Sequence, residues 1–243
     1  MSFVINPYRF AAAAARDFGD ASRDFDGNDF WLIPDINEST SSLTVMWWVL
    51  TSATGTGSVM VAHQDVNNKR SWVTTMASST ASTQLRAVVK ETGVASGNTK
   101  DYRTQDSVVV SDGTWHHCAF TWDSGTLKLF VDGVEDTSVV KTIDDTMTTI
   151  NDSAGKLSTA AVLSADAGLA ITAVKLADFR IYNAVLTEAN IATIEGGGAF
   201  DETNLAGRWI GNDDNLDDLS AGTADATEGA GSASTYDLDG PLD

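Results

Sequence analysis

Cysteine is nearly missing from this chain of 243 residues. Cys118 stands alone, so no intrachain disulfide forms, and the expectation is synthesis in a reducing cytoplasm. Proline is scarce, with three residues. Positive charge is scarce too: 15 Lys and Arg face 34 Asp and Glu, a formal net charge of −19. Such a field repels nucleic acid and anionic membranes, so neither is an expected partner; it favours basic partners and divalent cations. No apolar run approaches the roughly 18 residues needed to span a bilayer, which argues against membrane insertion. The opening MSFVINPYRFAAAAARDF also lacks a basic stretch followed by an unbroken apolar run, because Asn6, Pro7, Tyr8 and Arg9 interrupt it. It is not read as a signal peptide.

What the chain does have is many small residues and many short apolar stretches, which suits one large all-β domain with extensions. The clearest pattern runs from Ser111 to Val134. His116, Cys118, Phe120 and Trp122 share one parity, and His117, Ala119 and Thr121 the other, a period of two that predicts a two-faced strand over Trp115–Trp122. Asp123, Ser124 and Gly125 supply turn chemistry, Leu127, Leu129 and Val131 line one face of a second strand, and Asp132-Gly133 turns the chain again. A hairpin with one apolar face must pack on a second sheet, so a β-sandwich is expected.

Further strands are expected at Phe25–Ile33, Leu43–Leu50, Ser58–His63, Ser71–Met76, Gln84–Val89 and Asp178–Tyr182, with Asp144, Asp145, Asn151 and Asp152 in loops. Trp47 and Trp48 are adjacent on one strand and must face opposite ways. Residues 1–20 are read as an arm in which Asn6 caps a short helix, Pro7 opens it and Tyr8–Arg16 continue it, docked on the domain or on a neighbouring subunit. Thr187 reads as the N-cap of a helix over Glu188–Glu195, stopped by Gly196-Gly197-Gly198. Asn190 stands where a capping box wants Glu or Gln, so that box is read as incomplete. Residues 199–243 form an acidic extension with one short strand around Trp209, either pairing back into a sheet or contacting a neighbour.

Three stretches carry a family resemblance: DGTWHHCAFTWDSGTLKLFVDG in the hairpin, FDGNDF from Phe25 to Phe30, and LADFRIYNAVLTEANI from Leu176 to Ile191. In order and spacing they resemble laminin-G-like domains of the concanavalin A-like lectin/glucanase superfamily, over about residues 22–195. The resemblance implies an all-β jelly-roll sandwich with a domain spanning 21–198. That fold carries lectins, enzymes and structural modules alike. The resemblance also implies that His116 is a structural histidine, and that Cys118 fills a place usually held by an aliphatic core residue.

Glycosidases of this fold share a Glu-x-Asp-x-x-Glu strand motif, whose alternate carboxylates lie on one face. No Glu here is followed two residues later by Asp, so no enzyme is expected. His116, His117 and Cys118 are consecutive on a strand and cannot converge on one ion; His63 stands isolated. Relatives of this fold often hold calcium, and oxygen donors suited to it are Asp26, Asn28, Asp65, Asn67 and Asp178. Sugar recognition needs exposed aromatic faces, for which Trp31, Trp48 and Trp72 are the candidates. The opening MSFVINPYRF resembles the starts of tailed-bacteriophage structural proteins. The leading expectation is therefore a non-enzymatic virion protein: a capsid decoration or fibre-associated module, homo-oligomeric, contacting phage capsid or tail proteins and binding cell-surface glycans. The alternative is a calcium-dependent lectin not tied to a virion.

Overall fold

The computed structural model describes residues 22–53, 58–64, 70–76, 83–91, 97–151, 155–164, 167–169, 172–198, 202–210, 218–220, 224–228 and 235–237. The predicted arm, residues 1–20, lies outside them, as do Asp65 and Asn67. The strands in chain order are β1 (Ser22–Asp26), β2 (Trp31–Ile33), β3 (Ser42–Leu50), β4 (Val59–Gln64), β5 (Arg70–Met76), β6 (Leu85–Lys90) and β7 (Thr99–Arg103). They continue with β8 (Trp115–Asp123), β9 (Thr126–Val131), β10 (Val134–Glu135), β11 (Val140–Asp144), β12 (Leu157–Thr159), β13 (Val162–Ser164), β14 (Ala167–Leu169) and β15 (Ala173–Tyr182). Helix α1 (Glu188–Glu195) follows, then β16 (Leu205–Trp209), β17 (Thr227–Glu228) and β18 (Thr235–Asp237).

These strands make two sheets and a separate β13–β14 hairpin. The first sheet runs β10-β9-β8-β3-β15-β1-β18, with β16 also on β15; the second runs β11-β7-β6-β5-β4-β12-β2-β17. Every pairing is antiparallel. Between the sheets lies one large apolar cluster that includes Phe25, Trp47, Trp72, Phe120, Trp122 and Trp209. Trp72 of the second sheet meets Phe120 of the first edge-on, ring centroids 5.6 Å apart. The expected sandwich is present, and the β8–β9 hairpin forms with Asp123 paired to Thr126 across the turn. Ser124 and Gly125 both take positive φ, 41° and 115°, as a tight two-residue hairpin turn requires. A side chain at Gly125 would also strike the Met147 carbonyl at 2.6 Å, so this position needs glycine twice over.

Three expectations change, and one of two open alternatives is met. Phe25–Ile33 is two strands in different sheets rather than one: Gly27 takes φ 93°, and the Asp29 carboxylate accepts the Asp26 N–H at 2.9 Å, turning the chain between them. Asp144 ends a strand, β11, whose residues are all exposed and therefore carry no alternation for a sequence reading to find. The capping box of α1 is complete: Asn190 N–H bonds to Thr187 Oγ1 at 3.2 Å, and Asn190 Oδ1 accepts the Thr187 N–H at 3.2 Å. The described parts of the C-terminal segment pair back into the sandwich, β16 on β15, β17 on β2 and β18 on β1.

A bulge in β15 decides where two charged side chains go. Ala177 sits opposite Trp48 and Arg180 opposite Met46, so one extra residue is fitted between them. Asp178 occupies the bulge with φ 43°. The facing pattern flips there: Val174 and Leu176 enter the core before it, Phe179 and Ile181 after it. Asp178 and Arg180 are thereby kept out of the apolar interior.

Candidate functional site

The second sheet holds a polar group among apolar neighbours. His63 of β4 is in register with Trp72 of β5 and with Leu157 of β12. The loop after β2 brings Asp35 and Glu38 to it. Asn37 turns that loop with φ 53°, Asp35 Oδ1 accepts the Asn37 N–H at 3.2 Å, and Ser39 N–H is held by Asn183 Oδ1 at 2.6 Å. Glu38 is 5% exposed and His63 0%, whereas Asp35 is exposed. Glu38 Oε1 meets His63 Nδ1 and accepts the Trp72 indole N–H at 2.8 Å. His63 Nε2 faces the Gly155 carbonyl at 3.0 Å. Two acceptors on two ring nitrogens suit the doubly protonated ring. Burial is the largest influence and opposes that charge, but Glu38, Gly155 and Asp35 together outweigh it, and the His63 pKa is raised. Glu38 Oε2 is buried and has no partner. An unsatisfied buried acceptor costs about 1–3 kcal/mol. The donor atoms of Asp35, Glu38 and His63 lie within 4.8 Å of one another, and the three residues could hold a metal ion.

A second buried polar group lies on the other face of the first sheet. Arg180 and Arg208 are opposite each other on β15 and β16, and the Asp178 carboxylate bridges them. Arg180 Nε reaches both Asp178 oxygens at 2.9 Å, Arg180 Nη2 reaches Oδ2 at 2.5 Å, and Arg208 Nε reaches Oδ1 at 2.8 Å. Burial alone would lift the Asp178 pKa, but the two guanidinium groups lower it. His117 lies on this face with its ring 5.2 Å from that of Trp48. Burial lowers its pKa to about 4, Asp178 pulling it up and Arg180 pushing it down.

Of the calcium candidates, Asp26 and Asn28 lie together in the turn after β1, where Asp26 Oδ1 accepts the Asn28 N–H at 2.8 Å. Burial, with help from the Asp26 charge, raises neighbouring Asp29 to about 6. Asp178 does not join them. Asp26 is in register with Ala173, five residues before Asp178 on β15, which at strand rise is about 16 Å. With both oxygens bonded to arginine, Asp178 offers nothing to a cation. The calcium set therefore does not assemble around Asp178.

The three tryptophans chosen for sugar stacking are all buried: Trp72 at 0%, Trp31 at 3% and Trp48 at 5%. Trp31 packs edge-on against Phe25, Trp72 fills the core, and Trp48 is covered by Ala177 and Ile210 on the outer face. None offers a ring face to solvent. Trp115, half-buried beside Trp48, is the tryptophan that keeps partial exposure. His116, as the resemblance implied, serves the hairpin: its ring nitrogens meet Asp132 at 2.9 Å and Asp112 at 3.2 Å. The sequence reading missed Glu38 and Asp35, because no spacing rule links a loop acid to a histidine 25 positions away.

Two antiparallel sheets packed face to face, closed by a long core of aromatic side chains, define a lectin-type β-sandwich. The chain belongs to the concanavalin A-like lectin/glucanases superfamily: its Laminin_G_3 family matches residues 25–192. No curated protein matches the chain. Among solved structures it is similar to a candidate carbohydrate binding protein from Bacteroides ovatus, with TM-score 0.64 and 14% identity over 89% of this chain. The match spans 59% of that longer protein. It is also similar to the heptameric SAP-like pentraxin of Limulus polyphemus, with TM-score 0.52 and 13% identity over 74% of this chain and 83% of that one. At such identities the likeness is one of fold.

Proposed function

We propose that the chain is a carbohydrate-binding module without enzymatic activity, carried on a tailed-phage virion as a capsid decoration or fibre-associated component. The observation that carries the binding half is membership of a lectin/glucanase family without the carboxylate strand motif of its glycosidases. Two buried carboxylates, moreover, are already committed: Asp101 to Arg86 and Asp178 to two arginines. The virion half is supported by the phage-like opening of the sequence. A homo-oligomer contacting capsid or tail proteins fits that setting, since particle axes demand symmetric self-association.

A glycan array probed with the recombinant chain tests the first half, alongside an assay for reducing-sugar release from β-glucans. Saturable binding to a glycan class without sugar release is expected. An array without binding removes the lectin reading, and sugar release removes the non-enzymatic one. Immunogold labelling of purified particles tests the second half, with regularly spaced label expected. Binding that survives on the array but never labels a particle leaves a lectin not tied to a virion.

A further inference from the structure

We propose that Asp35, Glu38 and His63 form a site for one divalent transition-metal ion of the zinc class, with the buried, unpartnered Glu38 Oε2 as a ligand. This site is independent of the glycan reading. Its donors are one imidazole nitrogen and two carboxylates. Zinc and its first-row neighbours accept that mixture, whereas calcium takes six to eight oxygens.

The surroundings match what a ligating histidine and carboxylate need. His63 Nε2 lies 3.0 Å from the Gly155 carbonyl. A metal-bound histidine commonly donates its other ring N–H to such a carbonyl, and here that leaves Nδ1 aimed at the acids, where the incoming ion displaces to solvent the proton that Nδ1 gives to Glu38 Oε1. Trp72 holds Glu38 Oε1 at 2.8 Å, which fixes the carboxylate and leaves Oε2 without a partner. One donor atom from each of the three residues lies within 4.8 Å of the others. Ligands of a tetrahedral zinc ion stand about 3.3 Å apart, so a shift on the order of 1 Å closes the set. Asp35 is the exposed member, free to make that movement, and it gives the ion its way in from solvent. The His116 group cannot compete for such a role, because its two carboxylates sit on opposite ring nitrogens and cannot meet on one ion. Bound metal would tie the loop after β2 to β4, across the strand β12 that separates β2 from β4.

The test uses the full chain stripped of metal, titrated with Zn²⁺ against a chromophoric chelator and with Co²⁺ followed by visible absorption. One equivalent is expected, with a raised Tm. Asp35→Asn changes an exposed residue, and Glu38→Gln keeps an acceptor for Trp72, so both should fold. Each should weaken Zn²⁺ binding at least tenfold and cancel the rise in Tm, while His116→Ala binds as the parent does. The proposal fails if no stoichiometric Zn²⁺ binding occurs, or if Asp35→Asn binds as tightly as the parent. It fails equally if His116→Ala is the variant that loses the metal, or if Ca²⁺ raises Tm and Zn²⁺ does not.

Discussion

The two buried polar groups of this sandwich make an instructive pair. Around Asp178 both carboxylate oxygens are used: the one acid bridges two guanidinium groups. Around Glu38 the answer is partial, with two donors crowded on Oε1 and none on Oε2. A closed set of this kind cements β15 to β16 and has no capacity left for a ligand. An open set retains the lone pairs that bind one. Burial alone does not separate a structural cluster from a binding site; whether its carboxylate keeps an unbonded oxygen does.

The largest effect should come from breaking the closed group. Asp178→Leu strands the buried Arg180 without a counter-charge and leaves Arg208 only the half-exposed Glu202 at 3.5 Å, and urea unfolding should show a loss of about 3–5 kcal/mol. A loss no larger than the about 1–3 kcal/mol expected at the open group would put the two on a par. Next comes the pH response of His117, whose pKa falls to about 4 in the fold. Between about pH 6.5 and pH 4 the unfolded chain takes up a proton that the folded one refuses. Stability from this group is therefore full above pH 6.5 and falls as pH drops, by about 1.4 kcal/mol per pH unit and on the order of 3 kcal/mol in all. His63 and His116 have raised pKa values, so they act in the opposite sense: their contribution is full below about pH 6.5 and fades as pH rises. The difference between parent and His117→Gln in unfolding at pH 7 and pH 5 isolates the His117 share.

A smaller loss is expected at the open group. Trp72→Phe removes a donor from a carboxylate already short of partners, and denaturation should register about 1–3 kcal/mol. A loss as large as that at Asp178 would mean that the Glu38 group is as closed as the other. The smallest effect sets the scale for an exposed neutral contact: Thr187→Ala removes the cap of α1 and should cost about 1 kcal/mol, read as a lower thermal midpoint.

Much of the frame was legible in local pattern. The period of two across Trp115–Trp122 gave a strand because alternating faces need no distant information. The same rule required Trp47 and Trp48 to part, and Trp47 enters the core while Trp48 lies on the outer face. The helix signal at Thr187 held for the same local reason, although the short amide of Asn190 proved able to complete the box. Where alternation was absent, as in exposed β11, or interrupted, as at Gly27, the reading failed.

Periodicity, turn residues and motif spacing within short windows suffice for the family, the two-layer sandwich and the hairpin at its centre. Which polar groups meet depends on the packing of the whole fold. A single extra residue at Asp178 reversed the facing of β15 and joined that acid to two arginines instead of to a cation. A loop acid and a histidine 25 residues apart were brought together by sheet packing. Contacts of that kind depend on the summed placement of whole strands, which no short stretch of chain encodes.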